Sequence, residues 1–131
     1  MADIDKIYNR RELEKGFGFS QSVRAGPFLF VSGCVSWDAD GNPLHVGDLE
    51  GQVEAIYAEI EATLKVSGLD PNDIVKETVF CRDIDALMAA NARRLRFYQR
   101  TTPPASTWVQ VERLAHPDLL LEVEVVAIIN R

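Results

Sequence analysis

Two cysteines and two histidines in 131 residues leave little material for thiol or metal chemistry. Cys34 and Cys81 are far apart and carry no metal-ligand spacing. They are expected to be small buried side chains with reduced thiols, as in a cytoplasmic protein. His45 and His116 are isolated, so no zinc or di-metal site is expected. Long apolar runs are absent too: none approaches the roughly 18 residues of a membrane span. The opening Met1-Ala2-Asp3-Ile4-Asp5 is acidic with no apolar stretch behind it, unlike a secretory leader. Positive charge is scarce, with 14 Lys+Arg against 20 Asp+Glu and a formal net charge of −6. Nucleic-acid binding needs clustered cations that displace phosphate counterions, so this class is not expected. The one basic cluster, Arg93, Arg94, Arg96 and Arg100, reads as the solvated face of a helix.

At 47% hydrophobic, the chain has enough apolar material for the core of one domain over residues 1–131. Ile4 to Tyr8 reads as a short edge strand and Lys15 to Phe19 as a glycine-rich loop. Gln21 to Arg24 and Phe28 to Val35 flank Ala25-Gly26-Pro27, the pattern of a hairpin. Asp38 to Pro43 is turn chemistry. Asp48 then caps a helix with Leu49, Val53, Ile56, Tyr57, Ile60 and Leu64 at helical spacing, closed by Gly68 and Pro71. Ile74 to Cys81 is a β-branched, apolar strand. Asp83 or Asp85 caps a second helix with Leu87, Met88, Asn91, Leu95 and Tyr98 on one face, stopped at Thr101 to Pro104. Ala105 to Val111 and Leu119 to Ile129 are the last strands. Each helix must bury its stripe on the sheet, which predicts an α/β two-layer sandwich: a β-sheet with two helices on one face. The other face then needs a cover, and another subunit can supply it.

The last strand places Leu121, Val123, Val125 and Ala127 on one apolar face. Glu122 and Glu124 interrupt the other. Either that face is partly wet, or a carboxylate sits in a subunit cleft as a proton-transfer group. Ser106, Trp108, Gln110 and Glu112 share a face of the preceding strand, where Trp108 suits a pocket wall or an interface anchor. Ser32-Gly33 ends the most apolar strand and could present a hydroxyl and a close backbone to a ligand. Asn91, a polar residue on the second helix's apolar stripe, either caps a backbone group or orders a ligand.

Several of these segments, in order, resemble the Rid (YjgF) family. Phe30-Val31-Ser32-Gly33 is similar to its strand ending in Ser-Gly, and Asp73-Ile74-Val75-Lys76-Glu77-Thr78-Val79-Phe80 to its Asp-Ile-Val-Lys-Thr-Thr-Val-Phe. Asn91 matches its helix asparagine. Pro104-Ala105 and Glu122-Val123-Glu124 match the ends of its C-terminal signature. The resemblance implies a chorismate-mutase-like fold, a homotrimer with small-molecule sites in clefts between subunits, and cofactor-free hydrolysis of 2-aminoacrylate and its imine tautomers. It implies Glu122 as the acid/base group with Ser32 and Asn91 as polar positioners. The chain departs where the family has a carboxylate-gripping arginine, here Ser106, and a tyrosine, here Phe19. Trp108 replaces a residue that is often small, and Arg24 is the nearest upstream candidate for a replacement cation. The departures leave two readings: an imine or enamine hydrolase with a non-standard substrate, or a non-catalytic trimer that binds a small metabolite.

Overall fold

Alternating apolar residues in the last strand set the centre of the molecule, because every second side chain can be buried against helices. In a computed structural model, which describes residues 4–129, six strands form one sheet. The terminal residues 1–3 and 130–131 of the expected domain lie outside the described residues. The strands are β1 (Ile4–Ile7), β2 (Ser22–Ala25), β3 (Phe28–Cys34), β4 (Ile74–Cys81), β5 (Ala105–Gln110) and β6 (Leu121–Ile128). Their order is β1-β2-β3-β6-β4-β5, with β4 and β5 parallel and every other pair antiparallel. The hairpin turns through Gly26 at φ 59°, a left-handed conformation that glycine adopts at little cost.

Leu121, Val123, Val125 and Ala127 of β6 are buried against α2 (Leu49–Val66), together with Leu29 and Val31 of β3. The Asp48 carboxylate accepts from the Gly51 N–H and caps α2. Buried Gln52 donates to the His45 and Asp118 carbonyls and accepts from Leu120 N–H, tying the start of α2 to the chain entering β6.

Two sequence expectations fail here. Lys15 to Phe17 are not loop but the end of α1 (Arg11–Phe17), with only Gly18 and Phe19 beyond it; the helix forms despite Gly16, because buried Glu14 accepts the backbone N–H groups of Asn9 and Arg10. The second long helix is two short ones, α3 (Ile84–Ala89) and α4 (Asn91–Phe97), broken at Ala90. The buried face runs on through this break at helical spacing. Leu87, Ala90, Arg94 and Tyr98 point inward, while Met88 and Leu95 are exposed. Arg94 therefore leaves the solvated basic face and enters the interior. The helices cover one face of the sheet as expected, and no helix among the described residues is long and apolar enough to cross a membrane.

Candidate functional site

Glu122 lies on the helix-free face of β6, opposite Phe80 of β4. Across from it β3 carries one extra residue between Val31 and Cys34, a bulge at Ser32-Gly33. The Glu122 side chain fills the space over Gly33. A Cβ there would lie 2.6 Å from Glu122 Cδ and 2.8 Å from Cγ, so only glycine lets the carboxyl sit this close. The Ser32 hydroxyl donates to the Ser20 carbonyl at 2.6 Å, and its N–H donates to Gln21 O at 2.9 Å. The αL turn at Gly18 (φ 88°) ends α1 and brings Phe17 and Phe19 to the same place. Phe17 packs on Trp37, ring centroids 5.5 Å apart.

The result is a cavity of about 320 Å³ lined by Phe17, Phe19, Ser32, Gly33, Val35, Trp37, Ala115 and Glu122. Burial, and then the neighbouring Glu124 charge, push the Glu122 carboxyl above its ordinary value. No donor among the described residues offsets this. A carboxyl poised to hold a proton in a mostly apolar cavity can exchange that proton with a bound ligand or water. Cys34 lies behind it, buried, and burial pushes its thiol up, so it is no nucleophile.

A second polar cluster lies on the opposite, helix-covered face. Glu77 is fully buried on β4 and accepts five hydrogen bonds. Arg94 Nε and Nη2 reach its Oε1 at 3.0 and 2.6 Å, and Ser106 Oγ donates to the same oxygen at 2.7 Å. The Tyr57 and Tyr98 hydroxyls donate to Oε2 at 2.5 and 2.7 Å. Burial opposes the Glu77 charge, but the donation from Arg94 and the two tyrosines wins and holds its carboxyl below the ordinary value. The Arg94 guanidinium lies over the Tyr98 and Trp108 rings at 5.1 and 5.4 Å. Its Nη1 reaches the half-buried Asn91 Oδ1 at 3.4 Å.

The expected site residues thus fall into two groups. Glu122, Ser32 and Phe19 share one cavity. Ser106, Trp108 and Asn91 gather around Arg94 on the other side of the sheet. Trp108 therefore neither plugs the Glu122 cavity of its own chain nor lies on the uncovered sheet face. Arg24 joins neither group. It pairs across from buried Leu29, and its guanidinium meets Asp5 at 3.3 Å, so it is no counter-charge to Glu122. Sequence reading missed Glu77 and Arg94, and also Phe17 and Trp37 as cavity walls. Strand parity was the available signal: Glu77 shares a face with Val79 and Cys81, both buried.

A family model described as Endoribonuclease L-PSP matches residues 10–129. A RutC family protein of Pyrococcus horikoshii is 31% identical over 109 residues, 83% of this chain and 85% of that protein. A Dermatophagoides farinae protein named 2-iminobutanoate/2-iminopropanoate deaminase is 26% identical over 89 residues, 68% of this chain and 70% of its own. Among solved structures, YyfA of Yersinia pestis, described as of the Rid family, superposes with a TM-score of 0.87. It is 26% identical, over 97% of this chain and 100% of its own.

Proposed function

The chain belongs to the Rid (YjgF) family, with its chorismate-mutase-like fold, and from that premise we propose that it is a cofactor-independent hydrolase of a small imine or enamine. The observation that carries this reading is the half-buried Glu122 carboxyl, held against Gly33 in a mostly apolar cavity and raised in pKa. Its protonated form gives the imine nitrogen a proton. Water then attacks the carbon as the resulting carboxylate accepts a proton from it. Collapse of the carbinolamine releases ammonia and leaves a carbonyl compound, one water consumed per imine.

The working unit we propose is a trimer with its sites between copies. Phe28 and Phe30 are 38% and 47% exposed on the helix-free sheet face, beside Val126 and Ile128, and a second copy is the cover that buries them. In that trimer the Glu122 cavity of one chain would meet the exposed β5 edge of another, which carries Ser106 and lies beside Arg94 and Asn91. A binding role without catalysis is the second reading. The observations favouring it are that Ser106 is already committed to Glu77 and that Phe19 has no hydroxyl. A net charge of −6 and a cavity whose one ionisable group is acidic oppose phosphate-backbone substrates.

Glu122→Gln separates the two readings. Hydrolysis of a panel of imines generated in situ should fall by about a hundredfold in the variant. A folded variant that retains the wild-type rate leaves the binding reading. The same substitution should raise stability at alkaline pH. A carboxyl whose folded pKa is raised binds more protons folded than unfolded, so its contribution is lost as pH rises through the folded value. Glu122→Gln should therefore melt above the wild type at pH 8, with the gap closing below the ordinary carboxylate range.

A further inference from the structure

We infer that the Glu122 cavity selects a small nitrogen cation, such as an amidinium, ammonium or iminium on a flat apolar body, and discriminates against carboxylates. The inference rests on the reading that this cavity is the ligand site and narrows its ligand class. Three aromatic rings, Phe17, Phe19 and Trp37, line the cavity, and Glu122 is its one ionisable lining residue. Aromatic faces attract cations, and a carboxylate beside them adds a directed partner. Phe17 is 64% exposed, so its ring is available to a ligand.

The surrounding charges point the same way. Glu124 lies on the same face of β6 and adds negative potential. The nearby cations lie outside the lining: Lys6 and Lys15 share an adjoining pocket with Phe19, where Lys15 Nζ lies over the Tyr8 ring at 5.5 Å. Arg94 is bound to Glu77 on the opposite face, and Arg24 meets Asp5. Arg113 turns to the Leu114 carbonyl at 3.2 Å. Lys76 shares the helix-free face but pairs across from Val126, four residues and so about 13 Å along β6 from Glu122, and its Nζ donates to Thr107. An incoming carboxylate would meet the two acidic side chains of β6 and no cation from this chain's own lining. A cation would meet one carboxylate and three rings.

The probes are benzamidine, benzyl alcohol and benzoate, which share a ring and differ in charge. Trp37 lines the cavity and Trp108 does not line that of its own chain, so fluorescence of a Trp108→Phe chain isolates Trp37 and reports occupancy, with titration calorimetry on the wild type as the second readout. Benzamidine should bind at least tenfold more tightly than benzoate, with benzyl alcohol between them. Glu122→Gln should collapse the benzamidine preference and leave benzyl alcohol unchanged, and Trp37→Leu should weaken benzamidine while Glu122 is intact. Tighter binding of benzoate, or a preference that survives Glu122→Gln, overturns the inference. So does failure of all three probes to bind. In that case the imine assay decides the underlying reading separately: Glu122-dependent hydrolysis would leave the catalytic role standing without the cation preference.

Discussion

Arg94→Leu is expected to lower the unfolding free energy by about 3–5 kcal/mol, because it strands the Glu77 carboxylate in the interior without its cation. For a chain of this size that corresponds to a melting temperature lower by roughly 10–20 °C. Both side chains are sequestered, at 7% and 0% exposure, so solvent cannot replace the lost partner. Glu77→Met together with Arg94→Leu should recover most of the loss, since an apolar pair of similar volume avoids desolvating two charges. Thermal melts of the three variants and the wild type measure this. A single variant within about 1 kcal/mol of wild type would show that the ion pair is not what stabilises this face.

The pair also has a pH signature. Glu77 has a depressed folded pKa, so the folded state binds fewer protons than the unfolded one between the two values. Its stabilisation is present above the ordinary carboxylate range and is lost as pH falls through the depressed folded value. The acid limb of the stability profile should be shallower in Glu77→Gln than in the wild type.

Much of the fold follows from local patterns. The Ile74–Cys81 strand, the Asp48 cap and the alternation of β6 all lie where apolar spacing and capping chemistry put them. The break at Ala90 was not legible, because no proline or glycine marks it and Asn91 is the one weak helix former from Leu87 to Leu95. Arg94 falls in line with Leu87 and Tyr98 at helical spacing, so a basic run that looked solvated contains a buried ion. Glu122 was legible as a carboxylate on a mixed face. Its neighbours were not, because Phe17, Trp37 and Ser32 come from three separate segments that only the bulge at Ser32-Gly33 and the αL turn at Gly18 bring together.

Hydrolysis of 2-iminopropanoate should be slower than in arginine-bearing relatives by about a hundredfold to a few thousandfold. A carboxylate drawn into a cleft without its partner costs about 3–5 kcal/mol relative to the paired state, and each 1.4 kcal/mol is a factor of ten. Ser106 cannot replace the arginine. It offers one neutral hydroxyl, and that hydroxyl is already given to Glu77. Arg94 Nη2 lies 3.5 Å from Ser106 Oγ, yet Glu77 neutralises it. Ser106→Arg alone should rescue little, because the new guanidinium would crowd Arg94 and compete with it for Glu77 beneath the Trp108 ring. The assay generates the imine from an amino acid with an oxidase and follows its decay with added protein. Family-typical rates from the wild type would mean that a cation does reach the substrate carboxylate.

Complementation between chains tests the central claim most directly, because Glu122 and Asn91 lie on opposite faces of one chain and can share a site only across two copies. Glu122→Gln and Asn91→Ala chains, each inactive alone on the imine that the wild type turns over fastest, would be co-expressed with different tags and purified as mixed assemblies. Random trimers should recover about a quarter of the wild-type turnover per site, since each cleft needs one intact Glu122 and one intact Asn91 from different neighbours. Mixed assemblies no more active than the two parents, or a wild type that sediments as an active monomer, would contradict a site built between copies around Glu122.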